Sequence, residues 1–137
     1  NVSILPIEEK LTHLSQLDGY DLIIVAVDRM EPRQLVHNSD AEWLDLRCQG
    51  DGYIVIDNLT SPELVKSIPG NQVATSCQIE GAFEHQNIEF GFSMCATIGA
   101  QWLLQKVRQF HGHKSNTPNF RMGSITSGEL GFKAGIN

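Results

Sequence analysis

An acid at the tip of an apolar run is the first chemical landmark in this chain. Leu22 to Val27 are six consecutive apolar residues, rich in β-branched types, and Asp28 follows them directly. A run without polar alternation reads as a strand buried on both faces, and such strands sit in the middle of parallel sheets covered by helices. Ligands of open α/β folds bind in the crevice outside the carboxyl ends of the strands. Asp28 is therefore a candidate for binding a ligand. Aspartate is also a preferred N-cap, so the same residue could simply start the next helix. Arg33 stands five residues further on. His111-Gly-His113 has a chelating spacing, but no third ligand is near it in sequence and its loop is polar and exposed, so it reads as a loop rather than a metal site.

The elements that would position Asp28 follow from the surrounding pattern. Val2 to Leu5 reads as a short strand stopped by Pro6, and Glu8 to Leu17 as an amphipathic helix with Leu11, Leu14 and Leu17 three apart. Asp18-Gly19 ends that helix, and the strand Asp21 to Val27 follows. Pro32 to His37 reads as helical, with Pro32 in the first turn. Strand–helix–strand–helix order with short links is the mark of βαβ units. Trp43, Asp45 and Arg47 then alternate with Leu44 and Leu46, and Tyr53 to Asp57 gives a second run, with Gln49-Gly50-Asp51-Gly52 as the turn between two adjacent strands. Ser61-Pro62-Glu63 starts a short helix through Ile68. Residues 71–89 are the least regular stretch, and a loop of that length in a compact domain is functional or mobile. Phe92 to Phe110 is a long helix with Met94, Ile98, Trp102, Leu103 and Val107 as its apolar stripe, and Phe120 to Ile125 and Glu129 to Lys133 are two final strands. Trp43 and Trp102 read as core or interface.

Composition sets the outer bounds. With 137 residues, 41% of them hydrophobic and 19% charged, the chain is the size of one globular domain. A net charge of -6 argues against nucleic acid as a partner, because phosphate neutralisation needs clustered Lys and Arg. Phe90 to Leu104 is too short and too broken by Gly and Gln to span a membrane, and the charges at Glu8, Glu9 and Lys10 leave no signal peptide visible. Cys48, Cys77 and Cys95 form no paired spacing, which suits thiols in a reducing, cytoplasmic setting, and without Cys-x-x-Cys no structural zinc is expected. Cys48 and Cys95 fall on a strand and a helix and read as packing residues. The chain opens at Asn1 rather than Met and enters a strand-like segment at once, which reads as a piece of a longer protein.

Taken in order, these landmarks resemble the C-terminal half of the ThiF/MoeB/HesA superfamily, the adenylating enzymes that activate ubiquitin-like proteins. The matching residues are the strand Asp21-Leu22-Ile23-Ile24-Val25-Ala26-Val27 with Asp28 and Arg33. The crossover loop Thr75-Ser76-Cys77-Gln78-Ile79-Glu80-Gly81-Ala82 and the helix Gly99-Ala100-Gln101-Trp102-Leu103-Leu104-Gln105 continue the match. The likeness spans roughly residues 1–110, and the tail would match the family's terminal hairpin. It departs at Arg29, where the family usually has Asn, and in lacking both zinc-binding Cys-x-x-Cys pairs and a Gly-x-Gly-x-x-Gly loop.

The resemblance implies an α/β fold, part of a Rossmann-like mixed sheet flanked by helices with a C-terminal β-hairpin, with residues 1–137 as the C-terminal portion of one adenylation domain. It implies adenylation of the C-terminal carboxylate of a small ubiquitin-like or sulfur-carrier protein of the β-grasp type, with ATP and magnesium, the Gly-rich nucleotide-binding half lying outside this chain. The alternative is a non-catalytic dimerisation or carrier-binding module of the same fold. Asp28 would hold magnesium near the ATP phosphates. Arg33 would orient that carboxylate or contact the partner; otherwise it is a surface arginine paired weakly with Glu31 or Asp28. Cys77 would accept the activated C-terminus; otherwise it is a buried or idle thiol. A nucleophilic thiol needs exposure and a lowered pKa, and here Glu80 and Glu84 have the wrong sign while His85 is the one nearby base. Family members commonly form homodimers through this half, and the small residues Ala96 and Ala100 could pack on the sheet or on a second subunit.

Overall fold

The computed structural model describes residues 3–68, 76–117 and 120–130. It is an α/β structure built on a five-stranded mixed sheet in the order β1-β2-β3-β4-β5. The strands are β1 (Leu22–Val25), β2 (Glu42–Gln49), β3 (Gly52–Asp57), β4 (Phe120–Ser124) and β5 (Gly128–Leu130). The helices are α1 (Met30–His37), α2 (Pro62–Ser67) and α3 (Gly91–Phe110). β1 and β2 run parallel through the α1 crossover, and every later pair is antiparallel.

Alternation along β2 separates the two faces of the sheet. Leu44, Leu46 and Cys48 face α3, where Leu44 and Leu46 join Tyr53, Val55, Cys95, Ile98 and Trp102 in the main core. Trp43 and Asp45 face α1, and Trp43 packs with Val25 and Val36 in a second cluster. α3 lies close to the sheet because residue 99 has no side chain. A β-carbon on Gly99 would meet Leu46 Cδ1 at 3.0 Å. Truncating Leu44, which is fully buried, to alanine should cost about 2–5 kcal/mol.

The β2–β3 hairpin, α1, α2, α3 and the β4–β5 hairpin lie where the sequence places them, with residues 131–133 of the last expected strand outside the described residues. Four expectations do not hold. Residues 3–5 form no strand, and Ile4 is 90% exposed; Val2 lies outside the described residues. Glu8 to Leu17 is not a helix apart from one 3-10 turn at Leu14–Leu17. The Gln16 side chain accepts from the N–H groups of Thr12 and His13 at 2.8 and 2.9 Å and donates to the Lys10 carbonyl at 3.1 Å. These bonds give the backbone an alternative to the helical ladder. Only Leu11 and Leu17 of the three leucines reach the core. Third, β1 is an edge strand among the described residues, pairing with β2 alone. α1 covers one of its faces, while α3 crosses β2 and β3 and leaves Ile24 37% exposed. In the α3 stripe, Leu103 and Val107 point outward, and Cys95, Gly99 and Lys106 are buried instead. Lys106 is ion-paired with Glu42 and lies 5.4 Å from the Trp102 ring centroid. Among the described residues no helix is long and apolar enough to cross a membrane.

Candidate functional site

β1 leaves the sheet after Val25, opposite Asp45, while β2 continues to Gln49. The notch so created at the carboxyl end of β1 is where open α/β folds place ligands. A cavity of about 430 Å³ occupies it, and Asp28, Arg33 and Cys77 all contribute to its lining. Residues 44 or more positions apart in sequence, Arg33 and Cys77 among them, thus share one wall system.

Arg33 is buried and holds the notch together. Its guanidinium donates to Asp45 Oδ1, to the Val27 carbonyl and, at 3.1 Å, to the Leu46 carbonyl. One side chain therefore ties the departing end of β1 to the continuing edge of β2. Its carboxylate partner is Asp45, rather than Glu31 or Asp28. Burial, followed by the charge of Arg47, lowers the Arg33 pKa to about 10. Arg33 remains charged at neutral pH.

Asp45 is the centre of this network and is completely buried. Arg47 donates to its Oδ2 from Nη2 at 2.8 Å and from Nε at 3.0 Å, and His37 Nε2 lies 3.0 Å from the same oxygen. The imidazole of His37 stacks on Trp43 with centroids 4.2 Å apart. Burial first, then Arg47 and Arg33, pushes the His37 pKa down to about 4, so the ring is neutral near pH 7 and serves Asp45 as an N–H donor. No buried side-chain nitrogen or oxygen among the described residues lacks a partner. Asp45, His37 and Arg47 had no role in the sequence reading. The available signal was Arg33 and His37 one helical turn apart on α1, facing a strand with an acid in its middle.

Asp28 is exposed and does not cap α1; Arg29 holds the N-cap position, and no side chain caps that helix. Cys77 is exposed as well, and it belongs to a closed loop. Gln78 clamps the loop, donating from Nε2 to the Glu89 carbonyl at 2.8 Å and accepting the Glu89 N–H on Oε1 at 2.9 Å. Loops of this kind, with their ends held together, are compact rather than floppy. Gly50, at the tip of the β2–β3 hairpin, secures both sides of the clamp. Its N–H donates to the Cys77 carbonyl at 3.0 Å, and its carbonyl accepts from Gly91 N–H at 2.9 Å. Glycine suits this position because φ is +59°, a left-handed conformation it adopts without steric cost.

His85, the sequence's candidate base for Cys77, packs on Gly81 and does not line the cavity. What does join Cys77 there are the other two thiols, Cys48 and Cys95. Burial pushes Cys95 up to about 11, and burial with the thiol of Cys77 pushes Cys48 up to about 12. His111 and His113 are both exposed, and no group of three His, Cys, Asp or Glu among the described residues is arranged to hold a metal by itself. No family model matches the sequence, and neither a curated protein nor a solved structure matches it.

Proposed function

We propose that this chain is the C-terminal portion of a ThiF/MoeB/HesA-type adenylation domain, acting on the C-terminal carboxylate of a small β-grasp protein with ATP and magnesium. The observation that carries the reading is the meeting of Asp28, Arg33 and Cys77 on one cavity at the carboxyl end of β1. A parallel pair continued by antiparallel strands and a terminal hairpin is in keeping with it.

The residues present fit the magnesium such a site would use. Magnesium is bound through one or two carboxylates together with substrate phosphates. Asp28 offers one exposed carboxylate on the cavity, not spent on capping α1. The chemistry the ion supplies when bound is neutralisation of charge at a phosphate under attack. The chain's own residues do the positioning. Arg33 fixes the backbone leading to Asp28 by gripping the Val27 carbonyl. In this reading Cys77, exposed at the same cavity, takes the acyl group of the adenylate as a thioester and AMP leaves. The sequence has no Gly-x-Gly-x-x-Gly, so the donors for the nucleotide phosphates belong, in this reading, to residues outside these 137.

A second reading, a docking or dimerisation module without catalysis, draws on exposed apolar surface. Phe83 is 74% exposed, Phe90 57% and Leu104 54%. Pyrophosphate–ATP exchange by the natural full-length protein separates the two. The adenylation reading predicts exchange that requires a β-grasp protein with a free C-terminal carboxylate and stops when that carboxylate is amidated. Tight binding of the carrier without any exchange would establish the second reading instead.

A further inference from the structure

We propose that Cys77 and Cys48 form a reversible disulfide when the protein meets a peroxide, making this cavity a thiol-oxidation site. Three observations support it together, and none depends on the adenylation reading. All three cysteines of the chain, from a loop, a strand and a helix, line the same cavity. The thiol of Cys48 interacts with those of both Cys77 and Cys95. The backbone brings the two segments into register, because Gly50, two residues past Cys48, donates its N–H to the Cys77 carbonyl at 3.0 Å. The loop bearing Cys77 is thus pinned to the strand bearing Cys48, and the pair needs no large rearrangement to approach.

Exposure sets the order of events. Cys77 is exposed, Cys48 half-buried and Cys95 buried, with its Sγ donating to the Arg47 carbonyl at 3.2 Å. The oxidant therefore meets Cys77 first, and Cys95 is occupied and shielded. The Cys77 thiolate attacks a hydrogen peroxide oxygen. An S–O bond forms, the O–O bond breaks, and the departing hydroxide leaves as water with the proton released by the thiol. The Cys48 sulfur then attacks Cys77 Sγ, an S–S bond forms, and the sulfenic oxygen leaves as water with the Cys48 proton. Two thiols lose two electrons in all, one peroxide is reduced, and two waters are made. The product stitches the clamped loop to β2 and removes Cys77 as a nucleophile until a dithiol reduces it.

The test uses reduced, desalted protein exposed to hydrogen peroxide, then alkylated in denaturant and mapped by proteolysis and mass spectrometry. The expected result is a cross-linked Cys48–Cys77 peptide within one chain, with Cys95 alkylated, and full reversal by dithiothreitol. In Cys48→Ser the cross-link should vanish and dimedone should label Cys77. In Cys95→Ser the cross-link should persist. Recovery of three alkylated thiols from peroxide-treated wild type, or a cross-link that contains Cys95, would overturn the proposal.

Discussion

The guanidinium of Arg33 and the carboxylate of Asp45, 12 residues apart in the chain, form a buried ion pair that locks α1 onto the middle of β2. Removing one partner of such a pair leaves an uncompensated buried charge and costs about 3–5 kcal/mol. Arg33→Met alone and Asp45→Leu alone should therefore each be strongly destabilising in urea titrations. The double variant should lose less than the sum, because the Arg33–Asp45 interaction is counted in both single variants. Strict additivity in that double-mutant cycle would show that the two residues act independently.

His37 gives the network a pH dependence whose sign is fixed. Its folded pKa, about 4, lies below the ordinary 6.5. The unfolded chain therefore binds the proton first as pH falls, and the stability contributed by the neutral ring is complete above about 6.5 and lost on going down through 4. Asp57, whose pKa burial raises, pulls the other way in the acid range. Thermal midpoints should fall between neutral pH and pH 4, and His37→Gln should flatten that decline over the same interval. An unchanged slope in the variant would place the titrating group elsewhere.

Gly91 is predicted to be intolerant of any side chain. A β-carbon there would lie 2.5 Å from the Gly52 carbonyl oxygen and 2.6 Å from that of Gly50, both backbone atoms that cannot swing aside. Gly91→Ala should cost about 1–3 kcal/mol through displacement of the α3 start from the hairpin tip. Protection of the Gly50 and Gly91 amides in hydrogen exchange should fall with it. A variant as stable as wild type would mean that α3 does not begin against this turn.

The sequence revealed local order better than it revealed company. The alternation of Trp43, Asp45 and Arg47 with Leu44 and Leu46 located β2, and the spacing of Ile98 and Trp102 located the inner face of α3. Leu11, Leu14 and Leu17 misled because periodicity is blind to Gln16, whose side chain takes the hydrogen bonds a helix would have used. The apolar run before Asp28 located the strand but not its edge position among the described residues, which depends on long-range pairing. Asp28, Arg33 and Cys77 were singled out by type and place in the chain, and all three line one cavity. That Arg33 would be committed to Asp45, and that Cys77 would stand beside Cys48 and Cys95, are long-range facts carried by the crossover and by the Gly50 turn.

Asp28 offers the sharpest test of the central claim, because its carboxylate is exposed and caps nothing. Asp28→Asn in the full-length protein should keep the wild-type unfolding midpoint. In the same preparation, carrier-dependent pyrophosphate–ATP exchange should drop on the order of 10²-fold, the usual scale for losing one preorganised charge-stabilising group. Exchange at the wild-type rate in a normally folded Asp28→Asn protein would contradict the account.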